Sequence, residues 1–199
     1  MYQAGAVRRA GNTCEREELT EMRLDAQAVI ARTIEDVLPM KAVRKVLQKI
    51  RLDKPVYVIA IGKAAWEMAD EAVKFLGDRL VEGIVVTKYG HSRGKIPGVR
   101  IMESGHPMPD ENSVAAAGEV LKLADRVTGE EQVLLLLSGG GSALVEMPMQ
   151  GLTLQEVKRV TDLLLKCGAN IVEINTVRKH LSSIKGGKLA ERLLPAKGY

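Results

Sequence analysis

The run Gln132–Met147, QVLLLLSGGGSALVEM, limits what this chain can fold into more than any other stretch. Val133 to Leu137 are consecutive aliphatics without period-2 alternation, the pattern of a strand covered on both faces, as in the middle of a parallel sheet. The interior of the sheet is therefore expected here. Ser138 and Gly139-Gly140-Gly141-Ser142 follow at the strand's carboxyl end. Glycines there permit positive φ and let bare N–H groups approach a ligand, most naturally an anion. A tight βα turn uses glycine for geometry alone, and for any single one of the three that explanation suffices. Three in succession followed by serine point to an oxygen-binding loop, so Ser138, Gly139, Gly140, Gly141 and Ser142 are candidate phosphate-binding residues.

Composition narrows the class. A chain of 199 residues holds one sizeable domain or two small ones. Aromatic residues make up only 3%, so the core is built from Val, Ile, Leu, Ala and Met, and a stacking platform for nucleic acid is not expected. The formal charge of +4 suits a small anionic substrate as readily as a polyanion, and no run of like charges marks a basic tail. Cys14 and Cys167 stand far apart without CxxC or Cys/His spacing, which argues against a disulfide framework or a zinc site. With neither an apolar signal core nor a bilayer-length apolar run, a cytoplasmic protein without membrane contact is expected.

The remaining segments alternate between strand and helix. Residues 1–21 lack an apolar period and read as a flexible extension, with Met22 a natural start. From Asp25 to Ile50 apolar residues recur at helical spacing, divided at Pro39, as a packing element. Val56–Ile61, VYVIAI, reads as a buried strand that ends in Gly62-Lys63-Ala64-Ala65 before a helix closed by Gly77. Lys63 thus precedes a helix start, where a cation is electrostatically unfavourable unless an anion binds beside it. A solvated lysine is the plainer explanation, but the position makes Lys63 the first catalytic candidate.

Gly83–Thr87 and Val99–Glu103 are two further strands, and His91 and His106 stand in the polar loops just beyond them. Alone each is a surface histidine; together at corresponding strand ends they can converge on a cleft and bind an acid or move a proton. Asp110 begins a helix that ends near Gly129, and Thr153 with Glu156 has capping-box spacing. Ile171–Ile184 is a last helical segment carrying Asn175, Arg178 and Lys179 on one face, ahead of Lys185-Gly186-Gly187. A basic face is ordinarily solvated, but beside Lys185 it reads as the wall of an anion pocket, with Asn175, Arg178 and Lys185 as candidates. The fold class expected is α/β: a mostly parallel, Rossmann-like three-layer sheet flanked by helices.

Several chemistries are excluded by pattern. GGGSAL carries no Lys-Ser or Lys-Thr as in a Walker A loop, and Leu144 stands where G-x-G-x-x-G needs its third glycine. No G-x-S-x-G elbow or protein-kinase signature occurs. A pocket of Lys63, two imidazoles, a triple glycine and a basic helix remains, suited to phosphoryl transfer onto a small acid, where positioning and charge neutralisation do most of the work.

Five segments together carry a family resemblance: Ile61-Gly62-Lys63-Ala64-Ala65, Val86–His91, Gly105–Asn112, Leu137–Ser142, and Ile174–Ser182 continuing to Lys185-Gly186-Gly187. In this order, from about residue 23 onward, the chain closely resembles the glycerate 2-kinases. The resemblance implies ATP-dependent phosphorylation of D-glycerate to 2-phosphoglycerate with a divalent metal, normally Mg²⁺, and a catalytic role for Lys63. It also implies that residues 22–199 are a partial α/β domain with the second domain absent, and that the chain alone is inactive or nearly so. The partners expected are D-glycerate and a nucleotide, not nucleic acid; a homodimer is left open. Three other readings stay open: a hydroxypyruvate reductase-type oxidoreductase, a phosphosugar-binding module, and a folded remnant that binds neither substrate.

Overall fold

The computed structural model describes residues 7–194 and 196–199. The chain divides into two units, Met1–Ala42 and Val43–Tyr199. The first is dominated by one helix, α1, Val7–Asp36. Residues 7–21, expected to be an irregular extension, are therefore helical, while residues 1–6 lie outside the described residues. Glu17, Glu18, Leu19, Glu21, Met22 and Arg23 are good helix formers, and a helix once nucleated propagates through such residues without an apolar period. Helix α2, Pro39–Leu47, opens on its proline, where the missing N–H costs nothing. Val43 and Leu47 are buried and Ile50 packs against the same cluster, but Val29, Ile30 and Ile34 are exposed, so the packing expected of the whole Asp25–Ile50 stretch holds only in its second half.

The second unit is built on a five-stranded sheet. Its strands are β1 Val56–Ile61, β2 Leu80–Lys88, β3 Val99–Ser104, β4 Gln132–Leu137 and β5 Lys197–Gly198, in the order β3-β2-β1-β4-β5. Every neighbouring pair is parallel. Alternation along β1 divides the core in two. Val56, Val58 and Ala60 pack with Val43, Leu47 and the small face of α3, Ala65–Leu76. Tyr57, Ile59 and Ile61 point the other way, to Ala116, Ala117 and Val120 of α4, Glu111–Ala124, and to Leu144 and Leu189. The α/β sheet with helices on both faces is thus as expected from the alternation of elements, although α4 stops at Ala124 rather than near Gly129.

The centre of the sheet is not where the longest apolar run suggests. Every residue of β1 is buried, whereas Leu137 at the end of β4 is 60% exposed. The reason is pairing: β5 matches only Gln132 and Val133 of β4, so the last residues of β4 have a neighbour on one side alone.

The strand order places a topological switch between β1 and β4. The chain leaves β1 toward β2 and enters β4 from β3, so the loops after the two strands diverge and open a crevice at their carboxyl ends. Beyond β4 come α5, Gly141–Leu144, then α6, Leu154–Lys166, and α7, Ile171–His180. Reciprocal capping boxes start the last two, Thr153 with Glu156 and Asn170 with Glu173. Helix α7 does not reach Ile184 as expected. Ser182 instead bridges Pro148, and Ser183 N donates to Met147 O at 2.7 Å. That backbone pairing ends the helix and carries Lys185 back toward the chain that leaves α5; α8, Lys188–Arg192, follows.

Candidate functional site

The loops after β1 and β4 are laced together. Lys63 N donates to Gly139 O at 2.9 Å, and Ser138 N donates to Ile61 O at 2.9 Å. The Ser138 hydroxyl accepts from Ala64 N at 3.1 Å. At Gly62, where φ is +136°, a Cβ would fall 2.0 Å from Ser138 Oγ, so no other residue fits that crossing. Ser138, expected among the ligand residues, is thus the clasp between the two loops.

The three glycines are not equivalent. Gly140 has φ of +96°, and a Cβ there would stand 2.9 Å from Cδ2 of His106 and 3.3 Å from Cε of Lys63. Lys63 and His106 therefore lie over the middle glycine. Gly139 has neither a positive φ nor any atom within 4 Å of a Cβ, and at Gly141 the neighbour is Ile61 Cγ2 at 3.2 Å. Only the central glycine is demanded by the surroundings.

The two histidine loops converge as their strand-end positions predict. His91 Nδ1 lies 3.2 Å from Lys63 O, and because a carbonyl only accepts, this nitrogen carries the proton. The Thr87 hydroxyl donates to the same oxygen at 3.4 Å. His91 thus holds the backbone of Lys63, while His106 and the Lys63 side chain both stand over Gly140. Tyr89 Oη joins the loops, donating to Asp110 Oδ2 at 2.6 Å and accepting from Asn112 Nδ2 at 2.8 Å. Partial burial, and then the positive charges of Lys63, Lys88 and His91, hold His106 below the ordinary imidazole range. It is accordingly neutral at pH 7. Lys63 is exposed, and among the described residues no ion pair engages it.

At the other end of the glycine loop a pocket of about 340 Å³ opens between the Gly141-Ser142 turn and α7. Asn175, Arg178, Lys179 and Lys185 line it, over apolar Ile61 and Val145. The helical spacing of Asn175, Arg178 and Lys179 accounts for their shared wall. Arg178 Nη2 donates to Ser142 O at 3.1 Å. Lys185 is ion-paired with Glu146, whose side chain is fully buried. Burial pushes Lys185 down to about 8, against the opposing pull of Glu146 and with a further push from Arg178. The charge of Lys185 is thus already partly engaged inside the protein.

Glu146 was not legible as a site residue. Its signal is an acid within an apolar segment, LVEM, since a carboxylate there must find a cation or be expelled. The third histidine, His180, sits with Nδ1 2.8 Å from Thr176 O of its own helix and joins neither group. Among the described residues no three His, Cys, Asp or Glu side chains cluster to hold a metal ion. The acid closest in sequence to the glycine loop, Glu146, is taken by Lys185, so the residues present do not fit a divalent metal. No helix among the described residues is long and apolar enough to cross a membrane.

Residues 25–199 match the model of a domain of unknown function, DUF4147. A D-glycerate 2-kinase from Thermotoga maritima is 52% identical over 169 residues, which are 85% of this chain and 40% of that protein. A protein from Agrobacterium vitis named a putative hydroxypyruvate reductase is 44% identical over 142 residues, 70% of this chain and 32% of its own. A crystal structure of glycerate kinase from Thermotoga maritima superimposes with a TM-score of 0.85 at 48% identity, over 92% of this chain and 43% of that one. The chain thus spans well under half the length of these relatives.

Proposed function

We propose that this chain, which belongs to the DUF4147 family, provides the sheet-edge half of the active site of a glycerate 2-kinase, an enzyme that phosphorylates D-glycerate from ATP. The observation that carries the reading is the meeting of Lys63 and His106 over Gly140, where a bound anion finds a cation, backbone amides and a neutral imidazole. The 2-hydroxyl oxygen of glycerate attacks the γ-phosphorus, an O–P bond forms, and the bond to ADP breaks. Negative charge on the transferring group is opposed by Lys63 and by the Gly139–Ser142 amides. Neutral His106 takes the proton of the substrate hydroxyl as the O–P bond forms, and His91 keeps the Lys63 turn in place. Arg178 and Asn175 hold the acid's remaining oxygens in the adjoining pocket. Mg²⁺ would arrive with the nucleotide and supply further charge neutralisation; among the described residues no His, Cys, Asp or Glu cluster forms a site for it.

These groups orient the substrate and neutralise the transferring charge. The test is calorimetric titration of the chain with D-glycerate, 2-phosphoglycerate and ATP, together with coupled assays for ADP release and for NADH consumption with hydroxypyruvate. Saturable 2-phosphoglycerate binding that Lys63→Ala weakens by about tenfold or more, with little ADP release by the chain alone, is the expected result. Binding of none of these ligands would overturn the reading, and NADH consumption would replace it with a reductase.

A further inference from the structure

One buried charge remains without a part in the chemistry above. Glu146 is fully buried, its Oε2 meets Lys185, and Arg178 Nη2 lies 4.0 Å from the same oxygen. Its Oε1 has no hydrogen-bond partner among the described residues. A carboxylate placed so costs desolvation that one ion pair repays poorly, so its presence needs more than stability as a reason. Its two cations face outward into the pocket beside Ser142, and both side chains are mostly covered, at 17% and 14% exposure.

We infer that Glu146 is the positioning residue of this pocket: its carboxylate holds Lys185 and Arg178 charged and aimed at one anionic group, a carboxylate or a phosphate, bound against Ser142. Lys185 and Arg178 against Glu146 leave a single net positive charge within this triad, and Lys179 on the same wall adds to it. That balance suits one anionic group and is lost if any of the three is neutralised. The groups facing Lys185 are Glu146 and Arg178, with Lys179 on the α7 wall; Lys188 is turned away, donating to Lys179 O at 3.0 Å and to Ser182 O at 2.6 Å. Only Glu146 among them favours the protonated amine. The pocket's affinity for anions therefore falls as pH rises through the titration of Lys185, near 8. The inference rests on reading the pocket as part of a small-acid kinase site, yet its test stands apart from that reading.

Lysine side chains of the chain, labelled at Cε, are titrated by NMR, and binding is measured from pH 7 to 9 with D-glycerate as the carboxylate and sulfate as the tetrahedral anion, neither of which changes charge in that range. Lys185 is expected to titrate near 8 in the native chain and about one unit or more lower in Glu146→Gln. Binding should weaken by about tenfold from pH 7 to 9, and Lys185→Met should bind weakly with no such step. Glu146→Asp, which keeps the carboxylate, should restore part of the Lys185 shift. If Glu146→Gln does not fold, the native titration and Lys185→Met still decide. Lys185 titrating in the ordinary lysine range, or anion binding flat with pH, overturns the inference. A pH step with sulfate but no glycerate binding leaves Glu146 in its role and removes the glycerate reading instead.

Discussion

The two ends of the loop Ser138–Ser142 collect positive charge in opposite ways. On the β1 side Lys63 is exposed and unpaired among the described residues, and its neighbour His106 is kept neutral. On the α7 side Lys185 and Arg178 are covered and share a buried acid. An exposed cation costs the fold little but is screened by water; a covered one acts through a lower dielectric but must be compensated from inside. On the function proposed, the difference means that the first group suits a charge that arrives and moves, the second a charge that is bound and held.

That contrast is broken most directly by stability measurements. Glu146→Ala strands two covered cations and should cost about 3–5 kcal/mol in denaturant unfolding. A loss below about 1 kcal/mol would show that the pair is relaxed by solvent. The pH dependence comes next. Because Lys185 titrates near 8 in the fold against 10.5 in the open chain, the unfolded state binds more protons between those values. Relative to Lys185→Met, native stability should therefore rise across that window, by at most about 3 kcal/mol, even as anion binding falls. Equal slopes for the two proteins would remove the buried-lysine account.

Within the loop, Gly140→Ala forces an L residue into the left-handed region under His106 and should cost about 1–2 kcal/mol. Gly139→Ala, with open space and no positive φ, should stay within about 0.5 kcal/mol. Equal losses would mean that the central glycine is not singled out by its neighbours. The smallest effect on stability sharpens the contrast from the other side: Lys63→Ala should stay within about 0.5 kcal/mol of native while weakening 2-phosphoglycerate binding by about tenfold.

The alternating pattern carried much of this. VYVIAI reads as a buried strand, QVLLLL as a strand, Pro39 as the division between two helical segments, and Thr153 with Glu156 as a cap, and each is found so because the cause is local. The placement of Lys63, His91 and His106 after strands was legible for the same reason: in a parallel sheet every strand end opens on one edge. Less was legible where a distant partner decides. The exposure of Leu137 depends on how few residues β5 pairs, and the end of α7 depends on Pro148 and Met147 some 35 positions earlier. Residues 7–21 show the opposite case, a helix supported by propensity where a search for apolar period finds none.

What the chain determined by itself was its layered α/β class, the edge at which chemistry collects, and the residue types available there, since periodicity and turn chemistry act over a few positions. The tertiary structure alone decided which glycine is obligatory, that Ser138 clasps two loops, and that Glu146 underlies the cations of α7. Those outcomes depend on steric approach and charge pairing between segments far apart in sequence, and no local pattern encodes the distance between them.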